Sequence, residues 1–210
     1  MSDLNVVMPE KPRVIKETEL SGHYEIDGLY PGYGHTLGNS LRRIILSSLP
    51  GAAITEVKIE GVAHEFSTLA GVSEDVITIL LNLKRVRLKI STDEPQTLSI
   101  KVKGGKNVTA ADIEHGGQVE ILNPDQIIAH VTDKGANLEM EMKVRRGLGF
   151  IPKEVIEKER VDIGTITLDA IFTPIRRVNY EVETMRIRDR TDSNRLKITI
   201  ETDGTLSPRS

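Results

Sequence analysis

Apolar and polar residues alternate through most of this 210-residue chain, and only two segments break the alternation with helical periodicity. Side chains two apart share one face of a strand. A chain of this kind must build sheets and cover them with little helix. Val86, Leu88 and Ile90 alternate with Arg87 and Lys89; Leu98, Ile100 and Val102 alternate before the turn Lys103-Gly104-Gly105-Lys106. Leu138, Met140, Met142 and Val144 alternate with charged partners, and strands resume at 164–172, 177–183 and 196–201. Earlier strands are expected at 23–30 and at 53–60, the latter with Val57 and Ile59 on one side. Asn123-Pro124-Asp125, Asp133-Lys134-Gly135 and Asp203-Gly204 read as turns, and the segment from Pro152 to Arg160 as a charged loop or short helix.

The first helix is predicted from Thr36, as N-cap, to about Leu49, where Pro50-Gly51 stops it. Leu37, Leu41, Ile44, Ile45 and Ser48 fall on one face at about 100° per residue. Asn39, Arg42 and Arg43 lie opposite, with Leu46 between the arginines as a lone apolar residue on the outer face. The glycines before this helix let backbone pass close to a neighbour. The second helix is predicted from about Ser73 to Lys84. Glu74 and Asp75 in its first turn and Lys84 and Arg85 at its end suit the helix dipole. Val76, Ile77, Ile79, Leu80, Leu81 and Leu83 cover so much of its circumference that burial on more than one side is expected.

Pro50-Gly51 and Thr173-Pro174 are the natural seams. They divide the chain into one domain from both ends, residues 1–50 and 174–210, and an inserted domain, residues 51–173. The class is α+β.

Few kinds of chemistry fit. Lys and Arg number 28 against 31 Asp and Glu, a formal net charge of -3, so no basic footprint for nucleic acid covers the whole chain. There is no cysteine, which excludes disulfides and thiolates. With no Trp and 3% aromatics, stacking platforms for single strands are poorly supplied. No apolar run reaches about 18 residues, so no membrane span is expected. The start at Met1 carries no secretory pattern, and a cytoplasmic location is expected.

Gly32-Tyr33-Gly34-His35-Thr36-Leu37-Gly38 before a helix resembles a phosphate-binding loop, and Glu60 lies about 20 residues on. Its third glycine, however, is one position late for the dinucleotide pattern, and the preceding strand is polar and alternating rather than apolar. His64-Glu65 begins a zinc-hydrolase pattern, but Thr68 stands where the second histidine belongs. No local nucleophile signature occurs. The arginines at 145–146, 176–177, 186, 188 and 190 have acids nearby (Glu139, Glu141, Glu181, Glu183, Asp189, Asp192), as strand faces with cross-strand ion pairs would.

The stretch Pro31-Gly32-Tyr33-Gly34-His35-Thr36-Leu37-Gly38-Asn39-Ser40-Leu41-Arg42-Arg43-Ile44-Ile45-Leu46-Ser47-Ser48-Leu49-Pro50-Gly51 resembles the signature of the bacterial RNA polymerase α-subunit family. The likeness continues through Thr55-Glu56-Val57, Gly61-Val62, His64-Glu65-Phe66-Ser67-Thr68 and Gly71-Val72-Ser73-Glu74-Asp75-Val76. Later stretches fit too: Val108-Thr109-Ala110-Ala111-Asp112-Ile113, Val144-Arg145-Arg146-Gly147, Asp169-Ala170 and Arg190-Thr191-Asp192. Ser40 and Phe66 are local departures.

The resemblance implies a non-catalytic subunit of a nucleotidyltransferase, which dimerises and scaffolds the β and β′ subunits for transcription. It implies a homodimer interface at Tyr33, Leu37, Leu41, Ile44 and Ile45. Contact with the β subunit would fall to Arg42, Arg43 and Leu46, and contact with β′ to Lys84 and Leu168. No catalytic residue, metal or cofactor is expected in this chain, since the catalytic magnesium would sit in the large subunits. Family members carry a further helix past the position of Pro208, a linker and a DNA-binding domain. The chain ends at Ser210, so sequence-specific DNA binding is not expected of it.

Overall fold

The computed structural model describes residues 9–158, 162–187 and 190–209. Met1, Arg160, Arg188, Asp189 and the side chain of Arg190 lie outside the described residues. In chain order the first elements are β1 (Arg13–Glu17), β2 (Ser21–Leu29), α1 (Tyr33–Ser47), β3 (Pro50–Ile59), α2 (Val76–Leu83), β4 (Leu88–Ile90), β5 (Gln96–Lys103) and β6 (Lys106–Thr109). A 3-10 turn at Ala110–Asp112 follows, then β7 (Val119–Ile121), β8 (Ile127–Val131), β9 (Asn137–Leu148) and β10 (Phe150–Ile151). The rest are α3 (Lys153–Ile156), β11 (Ile166–Thr167), β12 (Ala170–Ile171), β13 (Ile175–Ile187) and β14 (Arg190–Thr202). The class is α+β, and the chain forms two compact units, Met1–Leu49 with Pro174–Ser210 and Pro50–Thr173.

The first unit is a four-stranded antiparallel sheet in the order β1-β2-β14-β13, with α1 on one face. Alternation assigns the faces. Val178, Leu196, Ile198 and Ile26 are buried in the core, where Leu37, Leu41, Ile45, Leu46 and Leu49 pack against them. The residues between them point the other way and pair across strands: Arg195 with Asp27 at 2.6 Å, Lys197 with Glu183 at 2.6 Å, Arg13 with Glu25 at 2.7 Å. Strands β13 and β14 run longer than their predicted stretches, because their pairing continues past the last buried residue.

The second unit centres on the antiparallel sheet β11-β3-β9-β5, with α2 and the two-stranded ribbons β4-β7 and β6-β8 completing its main core. Strand β3 is covered on both faces rather than half-buried, and Ile54 to Val57 are all buried. The main core lies on one side, and Ile156, Ala170 and Phe172 form a second small cluster with Ala53. Glu56 is buried within this strand and pairs with Arg145 at 2.7 Å and Lys143 at 3.2 Å. A buried carboxylate is tolerable only with such partners.

Two expectations are corrected here. Helix α2 buries one side, not several: Val76, Ile79, Leu80 and Leu83 are buried, whereas Ile77 and Leu81 are 37% and 53% exposed. Only one layer of the unit lies beneath it, so the rest of its apolar circumference stays uncovered within the unit. The strand predicted at 164–172 is divided into β11, paired with β3, and β12, paired with β10. Between them, the Leu168 N–H donates to the Thr55 carbonyl at 2.9 Å, while Asp169 Oδ1 accepts from the Lys153 N–H at 2.9 Å.

Candidate functional site

Helix α1 starts three residues before the predicted cap. Gly32 is its N-cap, at φ +81°, a left-handed conformation in which a side chain would be strained. Glycine has no side chain to cap with, and the first N–H groups of a helix need acceptors. Asn194 of β14 supplies one: its buried Oδ1 accepts from the N–H of Gly32 at 2.8 Å and of Gly34 at 3.4 Å. Thr36 therefore lies inside the helix, exposed. Asparagine is a favoured capping residue, but here it comes from a strand about 160 residues away in sequence.

The other two glycines bring the helix onto the sheet. A Cβ on Gly34 would lie 2.7 Å from Val182 Cγ1, and one on Gly38 would lie 2.5 Å from Tyr180 Cδ2 and 2.9 Å from Leu196 Cδ1. These separations are too short for real atoms, so only glycine permits the contact. The glycine-rich segment is thus a helix-to-sheet seat, with the Gly32 and Gly34 N–H groups directed at Asn194 rather than at an anion.

This seat rotates the predicted apolar stripe. The centre of the buried face runs through Gly34 and Gly38, with Leu37, Leu41 and Ile45 half-buried beside them. Ile44 falls outside the contact and is 56% exposed, and Tyr33 on the same flank is 52% exposed. Arg42 and Arg43 are exposed, and neither forms an ion pair with a described residue. Leu46 departs from expectation: it is half-buried against the core of its own unit. A leucine at the margin of a helix can lean back along the surface toward its neighbours. The surface of α1 accordingly offers an apolar flank, Tyr33 and Ile44, beside a cationic strip, Arg42 and Arg43.

The second expected contact region lies at the C-terminal end of α2. Lys84 is the C-cap and pairs with Asp169 at 3.6 Å. The Lys153 N–H holds the Asp169 carboxyl below the usual range, and the Lys84 charge adds to this against the opposing effect of burial. Lys153 pairs in turn with Glu65 at 3.3 Å, which raises the lysine above its ordinary value. Leu168, by contrast, is 7% exposed and part of the core. Its side chain faces inward, contrary to the expected surface contact, because the bond to Thr55 turns that residue in under β3.

Four of the five histidines are hydrogen-bonded, and His35 instead meets the Tyr180 ring edge-on. His64 Nδ1 pairs with Ser67 Oγ at 3.2 Å. Glu74 precedes the α2 cap rather than lying in the first turn, and it accepts from the His130 N–H at 2.7 Å and bonds His130 Nδ1. Asp75 is the cap and accepts from the Thr78 N–H at 2.9 Å. Among the described residues no cluster of three or more His, Asp or Glu could hold a metal ion, and no helix is long and apolar enough to cross a membrane. Sequence reasoning missed Asn194 and the pairing of buried Glu56 with Lys143 and Arg145. Neither has a local signal, because each depends on strand register.

Comparison with known proteins adds an independent line. A family model described as the RNA polymerase Rpb3/RpoA insert domain matches residues 57–173, within the second unit. The chain is 49% identical over 205 residues to a DNA-directed RNA polymerase subunit alpha of Roseiflexus castenholzii, covering 98% of this chain and 62% of the relative. It is 49% identical over 201 residues to the protein of that name from Carboxydothermus hydrogenoformans, covering 95% and 64%. For the Oceanobacillus iheyensis protein of the same name the identity is 48% over 203 residues, covering 95% and 64%. The chain spans less than two thirds of the length of these relatives.

Proposed function

This chain belongs to the family of the RNA polymerase Rpb3/RpoA insert domain, and on that footing we propose that it is a non-catalytic α subunit of a DNA-directed RNA polymerase. In this reading two copies pair, and the dimer scaffolds the β and β′ subunits in the cytoplasm. The catalytic magnesium belongs to the large subunits.

The observation that carries the reading is the divided surface of α1. Gly34, Gly38 and Asn194 seat one side on the sheet, and Tyr33, Ile44, Arg42 and Arg43 are left at the surface. The apolar flank, with the margins of Leu37, Leu41 and Ile45, suits a second copy, since an isologous contact buries the same patch twice. The cationic strip suits the β subunit, with Arg43 reaching furthest from the seat and Leu46 bordering it. In this reading Lys84, at the C-terminal end of α2, meets β′.

The test is capture of a matched β subunit by the full 210-residue chain, with Arg43→Ala alongside. Capture by the wild type and its loss with Arg43→Ala are expected. A well-folded wild type that captures no β subunit overturns the proposal.

A further inference from the structure

Among the described residues most cations on the strand faces are paired, such as Lys101 with Glu139, Lys106 with Asp112, Arg146 with Asp93, Arg195 with Asp27 and Lys197 with Glu183. The segment joining α2 to β4 is different. Val86, Leu88 and Ile90 are buried, Arg85 and Lys89 are exposed, and Arg87 lies half-buried between them. None of the three forms an ion pair with a described residue. Glu120 lies opposite Lys89 in the β4–β7 register without closing one.

The row is also held rigidly. Asn123 clamps its backbone from both sides, accepting from the Arg87 N–H at 2.7 Å and donating to the Arg85 carbonyl at 3.0 Å. The Arg85 and Val86 N–H groups bond back to Asn82 and Leu83, and the Leu122 N–H donates to the Arg87 carbonyl at 3.0 Å. Arg87 is half-buried, and its Nε is buried without a hydrogen-bond partner. With its Nε unbonded among the described residues, the Arg87 guanidinium has its outer Nη edge left to take an anion. Backbone fixed before binding loses little freedom when the ligand arrives.

We propose that Arg85, Arg87 and Lys89 form a docking strip for an extended acidic segment of another protein, with carboxylates at alternate positions. Alternate residues of an extended chain lie about 7 Å apart, so a strand of Glu-x-Glu type matches the spacing of Arg87 and Lys89, and Arg85 stands in the turn before them. Arginine forks take carboxylates in two-point contacts. Nucleic acid fits less well. The chain is acidic overall, Glu120 flanks the row, and attraction of a polyanion depends on a larger cationic field. Arg85 follows Lys84, so the strip borders the surface that the proposed function gives to β′.

The experiment is fluorescence polarisation of a short labelled peptide with glutamates at alternate positions, titrated with the full chain at low salt. A peptide of the same composition with its glutamates contiguous and a short DNA duplex serve as competitors. Arg85→Glu with Arg87→Glu is expected to weaken peptide binding by about tenfold or more. Lys58→Glu with Lys103→Glu, an equal change of charge elsewhere, is expected to weaken it by less than about twofold. Asn123→Ala keeps every charge but frees the backbone of the row, and a loss of severalfold is expected with the fold intact by circular dichroism. Absence of peptide binding overturns the proposal. So do equal binding of the contiguous peptide, tighter binding of the duplex, or equal losses in the two double variants.

Discussion

Helix α1 rests on its sheet through two glycines and takes its N-terminal cap from Asn194 on a distant strand, whereas helix α2 is capped by its own Asp75 and sinks Val76, Ile79, Leu80 and Leu83 into a core. The difference is one of duty. The four aliphatic side chains of α2 leave water almost completely, so its position is set by burial. No side chain of α1 is fully buried; only Gly34 and Gly38 are. Its apolar residues are half-covered or exposed, and a small number of contacts fixes where they sit. A helix placed in this way can offer its surface to other molecules. A helix like α2 can offer only the side that its core leaves uncovered, where Ile77 and Leu81 lie.

The largest effect is expected in α2. Leu83→Ala should cost about 2–5 kcal/mol, read by urea denaturation, since the buried site leaves a cavity. A loss no larger than that of a surface change would break the contrast.

Asn194→Ala comes next. It leaves the Gly32 and Gly34 N–H groups without their acceptor, at about 1–3 kcal/mol. Hydrogen exchange should localise the loss to the first turn of α1, with Asn194→Asp restoring protection. Unchanged exchange at Gly34 would remove Asn194 from its role.

Acid should separate the two caps. Hydrogen bonds from Thr78, side chain and then backbone, hold Asp75 below its ordinary value of 3.8. Burial pushes Glu74 up, but hydrogen bonds from the His130 side chain and backbone outweigh it and hold the group below 4.5. Both carboxylates bind protons less readily in the folded chain. Their stabilising contribution is complete above the unfolded values and is lost as pH falls through the lowered folded ones. The Asn194 amide does not titrate. Exchange protection at Thr78, corrected for intrinsic rates, should therefore decline below about pH 4 before that at Gly34. Parallel decline would show that one global event governs both helices.

The smallest effect on stability belongs to Ile44→Asp. Its site is more than half exposed, so the change should stay within about 0.5 kcal/mol. The same variant should shift any dimer to monomer by light scattering. A large drop in melting temperature would show that Ile44 is part of the α1 seat after all.

Much of the fold was legible as periodicity. The alternation at Leu138, Met140, Met142 and Val144 became the buried face of β9, and Leu98, Ile100 and Val102 that of β5. Both helices lay where helical spacing put them, though each began a few residues from its predicted start. The candidate site was less legible. A hydropathy stripe weights Leu37, Leu41, Ile44 and Ile45 and gives glycine no weight, yet Gly34 and Gly38 define the contact. The stripe therefore pointed toward Ile44, and the true seat lies on the far side of Leu41. Leu168 misled in another way, since sequence likeness says nothing of which way a side chain turns.

By itself the sequence determined the strand-rich α+β class, the two helical segments and the likeness to a family. Each of these rests on the spacing or identity of neighbouring residues, which the chain carries whatever it packs against. Only the tertiary structure decided that Asn194 caps α1, that one side of α2 stays uncovered, that Leu168 turns inward and that Tyr33 and Ile44 face out. Those outcomes depend on which surfaces meet. A glycine becomes a contact only when a neighbour approaches it, and an amide becomes a cap only when strand register carries it to the end of a helix.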